Sequence, residues 1–270
     1  MSKTTWKLSE LEKQEICSLY QKGSKNKDLM KEYNINHGSV RHILKTNKVK
    51  LRKYKVNDNA FSFPLNEEKA YWIGFLLADG YISEQGKNKE YRRLGLGLAG
   101  KDIAHLKKFK KFIKSDNPIY KRQIYNKYSF VTLQIVSKQI IEDLDKYEIH
   151  PRKTNNHKTP NIPENLKNHF YRGYIDGDGW FTKDRKNDKY IVGVLGPYNF
   201  LKDFIKWLSV NCNVNPNIKI PQSSENCHKF TYGGNINFYK ITNLLYNNAK
   251  TYLTRKNKIY KKFMRKYYGS

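Results

Sequence analysis

Two stretches of the chain resemble each other closely enough to constrain its architecture. In AYWIGFLLADGYIS (Ala70 to Ser83) and YRGYIDGDGWF (Tyr171 to Phe181), a helix-like run ends at an aspartate and a glycine, and Tyr-Ile or Trp-Phe then opens a strand. Aligning Asp79 with Asp178, 99 residues apart, brings the downstream segments into correspondence. Each copy continues with alternating strands (RRLGLGLAG; KYIVGVLG), an amphipathic helix (KDIAHLKKFKKFI; YNFLKDFIKWLS), further strand-like segments, and a third helix (SKQIIEDLDKYEI; INFYKITNLLYNNA). The pattern predicts an α+β protein built from two pseudo-symmetric αββαββα halves.

Small residues stand four apart in the first helix of each copy, Gly74 with Ala78 and Gly173 with Gly177. That spacing puts them on one face, where missing side chains let two backbones approach. The two helices are expected to pack there and to bring Asp79 and Asp178 together at their carboxyl ends. Two carboxylates at the negative ends of two helix dipoles repel, so something positive is expected between them. Oxygen ligands with room for water favour a hard divalent cation, Mg2+ or Mn2+, over zinc.

Composition names the partner class. With 52 Lys and Arg against 24 Asp and Glu among 270 residues, the formal charge is +28, the balance expected of a protein that holds a row of phosphates. Aromatic residues at 14% exclude a disordered basic tail. No lipid anchor, long apolar helix or secretory leader is evident, which predicts a cytoplasmic, DNA-associated protein without membrane contact. Cys17, Cys212 and Cys227 form no CxxC pair, and the seven histidines show no metal-ligand spacing, so most are expected at the surface or facing nucleic acid. DGDG fails as a calcium loop, because Trp180 and Phe181 stand where a ligand and a glycine are required. The glycines of RRLGLGLAG match no phosphate-binding fingerprint and suit sheet curvature.

The front of the chain has its own pattern. Ser9 and Glu12 form a capping box ahead of Leu11, Ile16, Leu19 and Tyr20, a second helix follows from Ser24, and HGSVRHILKTN gives a third. The third helix places Val40, Ile43 and Leu44 on one face and His37, Ser39, Arg41, His42 and Lys45 on the others. Three short helices with a basic last helix predict an all-α helix-turn-helix module over residues 1–48, reading DNA through Arg41, His42 and Lys45. KTNKVKLRKYK comes next and suits a basic linker, 49–64, that tracks phosphates.

WIGFLLADG (Trp72 to Gly80) and YRGYIDGDG (Tyr171 to Gly179) resemble the two signature helices of the LAGLIDADG homing endonuclease family, and the resemblance covers roughly residues 65 to 265. It implies two halves, 65–158 and 159–270, whose curved sheets form a DNA-binding saddle in a monomer that is an internal pseudo-dimer. The implied activity is metal-dependent, site-specific hydrolysis of both strands of double-stranded DNA. The family's metal-binding acids correspond to Asp79 and Asp178, helped by the main-chain carbonyls of Ala78 and Gly177. The first motif departs from the family pattern at Trp72, Ile73 and Leu77, all packing positions. Asp176, whose counterpart is Leu77, is expected to be a helix-end or structural acid. An Arg-Lys pair follows the third helix of each half, Arg152-Lys153 and Arg255-Lys256. The resemblance implies a catalytic basic residue beside each metal ligand, here Lys153 and Lys256, with Lys101 a weaker candidate. In the strand pair IYKRQIYNKYSFVTLQIV, Arg122 and Gln134 are candidate DNA contacts, with Lys121, Gln123 and Lys127 also possible. The final run KTYLTRKNKIYKKFMRKYY reads as a basic helix on the second half. The rival reading keeps the saddle without the chemistry, as a non-cleaving DNA-binding regulator or an RNA-binding splicing cofactor (maturase).

Overall fold

The computed structural model describes residues 8–86, 91–124, 128–153, 156–184 and 186–269. The chain divides into two compact units, residues 1–54 and 55–270. Among the described residues no helix is long and apolar enough to cross a membrane.

In the first unit, α1 (Glu10–Gln21), α2 (Asn26–Glu32) and α3 (His37–Thr46) enclose a core of Ile16, Leu29, Ile35, Val40, Ile43 and Leu44. Ser9 caps α1 through the full capping box, its Oγ accepting from the Glu12 amide at 3.2 Å while the Glu12 carboxylate accepts from the Ser9 amide at 2.7 Å. Two expectations fail locally. Leu11 is 79% exposed, because the buried stripe of α1 runs through Ile16, Cys17 and Tyr20. Ser39 is buried, because it lies one turn before Ile43 on the same face.

The expected basic linker, 49–64, forms no helix or strand, and residues 50–55 are exposed. Arg52 turns back on the first unit, its guanidinium 4.0 Å from the Tyr20 ring centroid and donating to the carbonyl oxygens of Tyr20 (2.6 Å) and Gly23 (3.0 Å). The carbonyls at the end of α1 thus gain a cationic donor from the basic run that follows α3. Residues 55–64 belong to the second unit. The Lys55 amide donates to Asp116 and the Asn57 amide to the Ile113 carbonyl, while Ala60 and Phe61 are buried in its core.

The second unit contains the repeat. Its first half runs α4 (Glu67–Asp79), β1 (Gly80–Gln85), β2 (Tyr91–Ala99), α5 (Ile103–Phe112), β3 (Ile119–Ile124), β4 (Tyr128–Ile135) and α6 (Lys138–Asp145). Its second half runs α7 (Lys167–Asp178), β5 (Gly179–Asp184), β6 (Lys189–Gly196), α8 (Tyr198–Cys212), β7 (Gln222–Ser224), β8 (Cys227–Gly233) and α9 (Asn235–Tyr246), followed by α10 (Thr254–Tyr268). The sheets have the same topology, β1-β2-β4-β3 and β5-β6-β8-β7, antiparallel throughout. Each buries one face under helices: Ile82, Leu94, Leu96, Leu98, Val131 and Leu133 in the first, and Phe181, Val192, Val194, Phe230 and Tyr232 in the second. The final helix, α10, packs Phe263 against Tyr190 and Phe238.

Between the halves α4 and α7 pack along one another, and α4 is buried from Ala70 to Leu77 because it meets its own sheet and α7 at once. The glycines set the separation. A Cβ on Gly74 would overlap the Phe170 carbonyl oxygen and lie 3.0 Å from the Tyr174 amide nitrogen; one on Gly173 would overlap the Tyr71 carbonyl oxygen and lie 2.8 Å from the Phe75 amide nitrogen. Main chain meets main chain, so neither neighbour can rotate away. Gly74→Ala and Gly173→Ala should each therefore lower unfolding free energy by about 3 kcal/mol or more in denaturant titrations. Gly233→Ala, where an added methyl meets nothing within 4 Å, should stay within about 0.5 kcal/mol.

Candidate active site and nucleic-acid interface

The close approach brings the ends of α4 and α7 side by side. Each helix closes with its aspartate, and the next residue, Gly80 or Gly179, donates its amide back into the last turn (to Leu76 and Ile175) and starts a strand. Asp79 and Asp178 are therefore fixed at two helix ends, both half-buried. A Cβ on Gly177 would overlap that of Ala78 and fall 3.3 Å from a carboxylate oxygen of Asp79, so the Asp79 side chain reaches across the terminus of α7.

Each helix end has its own buried lysine. Lys153 Nζ donates to the carbonyl oxygen of Leu77 at 2.6 Å and lies 3.4 Å from that of Ala78. Lys256 Nζ donates to the carbonyl oxygens of Asp176 (2.9 Å), Gly179 (2.5 Å) and Ile175. In both Arg-Lys pairs the lysine turns inward and the arginine outward. Arg152 is exposed, and Arg255 pairs with Asp102 at 3.1 Å. Lys101 stays exposed on the turn Gly100–Asp102. Lys256 has a main-chain acceptor for each of its three protons, which makes it a clamp on the helix terminus.

The sheet faces away from the helices settle the strand parity. In the first half Tyr81 lies opposite Gly95, which lies opposite Gln134, while Arg122 pairs with Phe130 and Tyr120 with Thr132. Arg122 and Gln134 therefore share the outer face, whereas Lys121 and Gln123 have the opposite parity; Lys127 lies outside the described residues. Gly95 leaves room for the Tyr81 ring and Gly193 for Trp180, two equivalent places where an aromatic side chain lies across a glycine. Arg41, His42 and Lys45 are exposed on α3, within the first unit, around a groove of about 640 Å³ that Lys48 and Val49 also line.

No family model matches the chain, and no curated protein matches it in sequence. Solved structures do match. One is the I-LtrWI LAGLIDADG homing endonuclease bound to target DNA, at 16% identity and TM-score 0.50 over 73% of this chain and 89% of that one. Another is the LAGLIDADG meganuclease I-AabMI bound to uncleaved DNA, at 12% identity and TM-score 0.50 over 74% and 89% of the two chains. A lysine-to-alanine mutant of I-SmaMI matches at 14% identity and TM-score 0.53 over 74% and 90%. The chain has the LAGLIDADG homing endonuclease fold.

The electrostatics of the paired helix ends follow from burial and crowding. Burial and then the neighbouring Asp178 push Asp79 up to about 7, against the pull of Lys256, Lys153 and Arg255. Burial also raises Asp178, opposed by Lys153, Lys256 and the Tyr174 hydroxyl. Both lysines are brought down to about 8 by burial, with Asp178 and Asp79 opposing at Lys153 and Asp176 foremost at Lys256. The donor set suits a hard divalent ion: two carboxylates at touching helix ends beside main-chain oxygens. Among the described residues no three His, Cys, Asp or Glu side chains cluster as a metal site, so main-chain oxygens and water would have to complete the coordination of an ion held by Asp79 and Asp178.

Sequence reasoning missed what surrounds these ends. Asp176 is fully buried and accepts from Tyr71 (2.7 Å), Tyr246 (2.7 Å) and the Leu253 amide (2.6 Å), so an acid of the second motif helix is held partly by a tyrosine of the first. Two histidines expected outside are inside. His105 Nε2 lies 3.0 Å from the Tyr71 hydroxyl and His157 Nε2 lies 3.1 Å from the Tyr174 hydroxyl. Burial lowers them to about 3 and about 4. Such depressed histidines contribute stability that is present above their unfolded value of 6.5 and is lost as the pH falls through the folded one. Asp79, raised in the fold, acts in the opposite sense, so a variant comparison is needed to isolate a histidine. Between pH 7.5 and 4.5 the stability advantage of the wild type over His157→Gln should shrink by up to about 2.5 kcal/mol. A pH-independent difference in denaturant titrations would contradict a neutral, buried His157.

Proposed function

We propose that the chain is a LAGLIDADG homing endonuclease, a monomer that hydrolyses both strands of double-stranded DNA at a specific site. The observation that carries this reading is the pair of half-buried carboxylates at touching helix ends, each end clamped by its own buried lysine. Structural neighbours with target or uncleaved DNA bound add support, as does the formal charge of +28.

Asp79 and Asp178 would hold Mg2+ or Mn2+, with the carbonyl oxygens of Ala78 and Gly177 as further ligands. When bound there, such an ion would polarise the scissile phosphoryl group and lower the pKa of an attacking water. The chain's own residues set the geometry. Gly74 and Gly173 fix the separation of the acids. Lys153 and Lys256 hold the last turns and offset the negative dipole ends, and through that positive potential they also act on charge developing at the phosphate. The outer faces of both sheets, including Arg122 and Gln134, lie against the duplex. The helix-turn-helix module, through Arg41, His42 and Lys45, adds affinity by raising the effective concentration of the body near its site. Location is then DNA-associated.

Cleavage-site selection from a randomised duplex library, followed by kinetics on the selected duplex, tests the proposal. Asp79→Asn and Asp178→Asn should each slow magnesium-dependent cleavage by at least about 100-fold while leaving binding within about threefold. Since Asp79 keeps its proton up to about pH 7, the magnesium needed for half-maximal rate should rise as the pH falls from 8 to 6. Tight binding to duplexes of the library with no cleavage product recovered would overturn the proposal in favour of a non-cleaving regulator.

A further inference from the structure

The internal repeat allows the two outer sheet faces to be compared position by position. Tyr81 pairs with Gly95 in the first sheet and Trp180 with Gly193 in the second, which makes Gly95 and Gly193 equivalent. Two residues before each glycine, on the same face, stand Arg93 and Ile191. Two residues after, they are followed by Gly97 and Leu195. Across the ladder, Gln134 faces Gly95 and Thr231 faces Gly193. Registers and exposure agree: all of these side chains lie on the face opposite the buried strand residues, and Ile191 and Leu195 remain partly accessible there.

The equivalent positions therefore carry different chemistry. Arg93 and Gln134 offer the forked, bidentate hydrogen bonding that reads guanine and adenine edges in a major groove. Ile191 and Leu195 offer no polar atom. What they can recognise there is the 5-methyl group of thymine, and they leave unpaired any strong donor or acceptor set against them. Ile191 lies between Thr182 and Gly233 in the ladder and stays partly accessible.

We propose that the two halves read chemically different half-sites: purine edges through Arg93 and Gln134 under the first sheet, and thymine methyl groups through Ile191 and Leu195 under the second. The inference rests on the outer faces lying in DNA grooves, as the proposed function has it. The target is then asymmetric in base composition although the protein fold is nearly two-fold.

Duplexes bound by the full-length protein in EDTA are selected from a randomised library, and the selection is repeated with Arg93→Ala. The expected outcome is one half-site whose guanine or adenine preference relaxes in Arg93→Ala, and a second half-site rich in thymine. Replacing the contacted thymines of the second half-site by deoxyuridine, which lacks only the methyl, should weaken binding by about fourfold per methyl. The same replacement elsewhere should be silent, and Ile191→Ala should lose the sensitivity. Binding that persists with deoxyuridine harmless, or equally harmful in both half-sites, would overturn the inference and leave the DNA-binding reading intact. Failure to enrich any duplex would overturn both.

Discussion

The separation of α4 and α7 governs the rest of this molecule. Helices usually meet through side chains at interaxial distances of 8 to 10 Å, roughly the width of interdigitated residues. Here Gly74 and Gly173 remove those side chains, and each glycine faces the main chain of the other helix. The approach places two negative helix poles and two aspartates in one small volume. Such a concentration of like charge tolerates burial only with compensation, and two buried lysines supply it. The candidate site and the core of the body are one construction. A change that loosens the helix contact would separate the acids as well as lower stability.

The halves are alike in topology and unlike in how they hold their helix ends. In the first motif the sixth position is Leu77, a core residue; in the second it is Asp176, buried among hydroxyl and amide donors. An ionisable group at no solvent exposure is tolerated because its oxygens have partners, including the Tyr71 hydroxyl from the other half. Sliding α4 along α7 would carry that hydroxyl away from the acid, so the contact ties the register of one half to the other. The same divergence reaches the outer faces, where Arg93 is matched by Ile191.

Much of this was legible in the sequence because it rests on short spacings. The four-residue interval of small residues predicted the helix contact, and the Asp-Gly endings with their downstream repeat predicted two αββαββα halves. What could not be read depends on distant partners. The Arg-Lys pairs are visible in the sequence, but that Lys153 and Lys256 turn inward onto helix carbonyls follows only from where α4 and α7 end. The burial of His105 and His157 reflects aromatic packing around Tyr71 and Tyr174, which no local pattern announces. Among the basic residues after α3, that Arg52 engages Tyr20 and the end of α1 depends on the packing of the first unit. Strand parity, which separates Arg122 from Lys121, required the pairing of β3 with β4.

The shared position of Asp79 and Asp178 can be measured without DNA. Carboxyl carbon NMR of metal-free protein should show Asp79 titrating near 7, with its midpoint moving toward the ordinary aspartate range in Asp178→Asn as the opposing charge is removed. An Asp79 titration that is indifferent to the charge at position 178 would contradict a common site at the ends of the two helices.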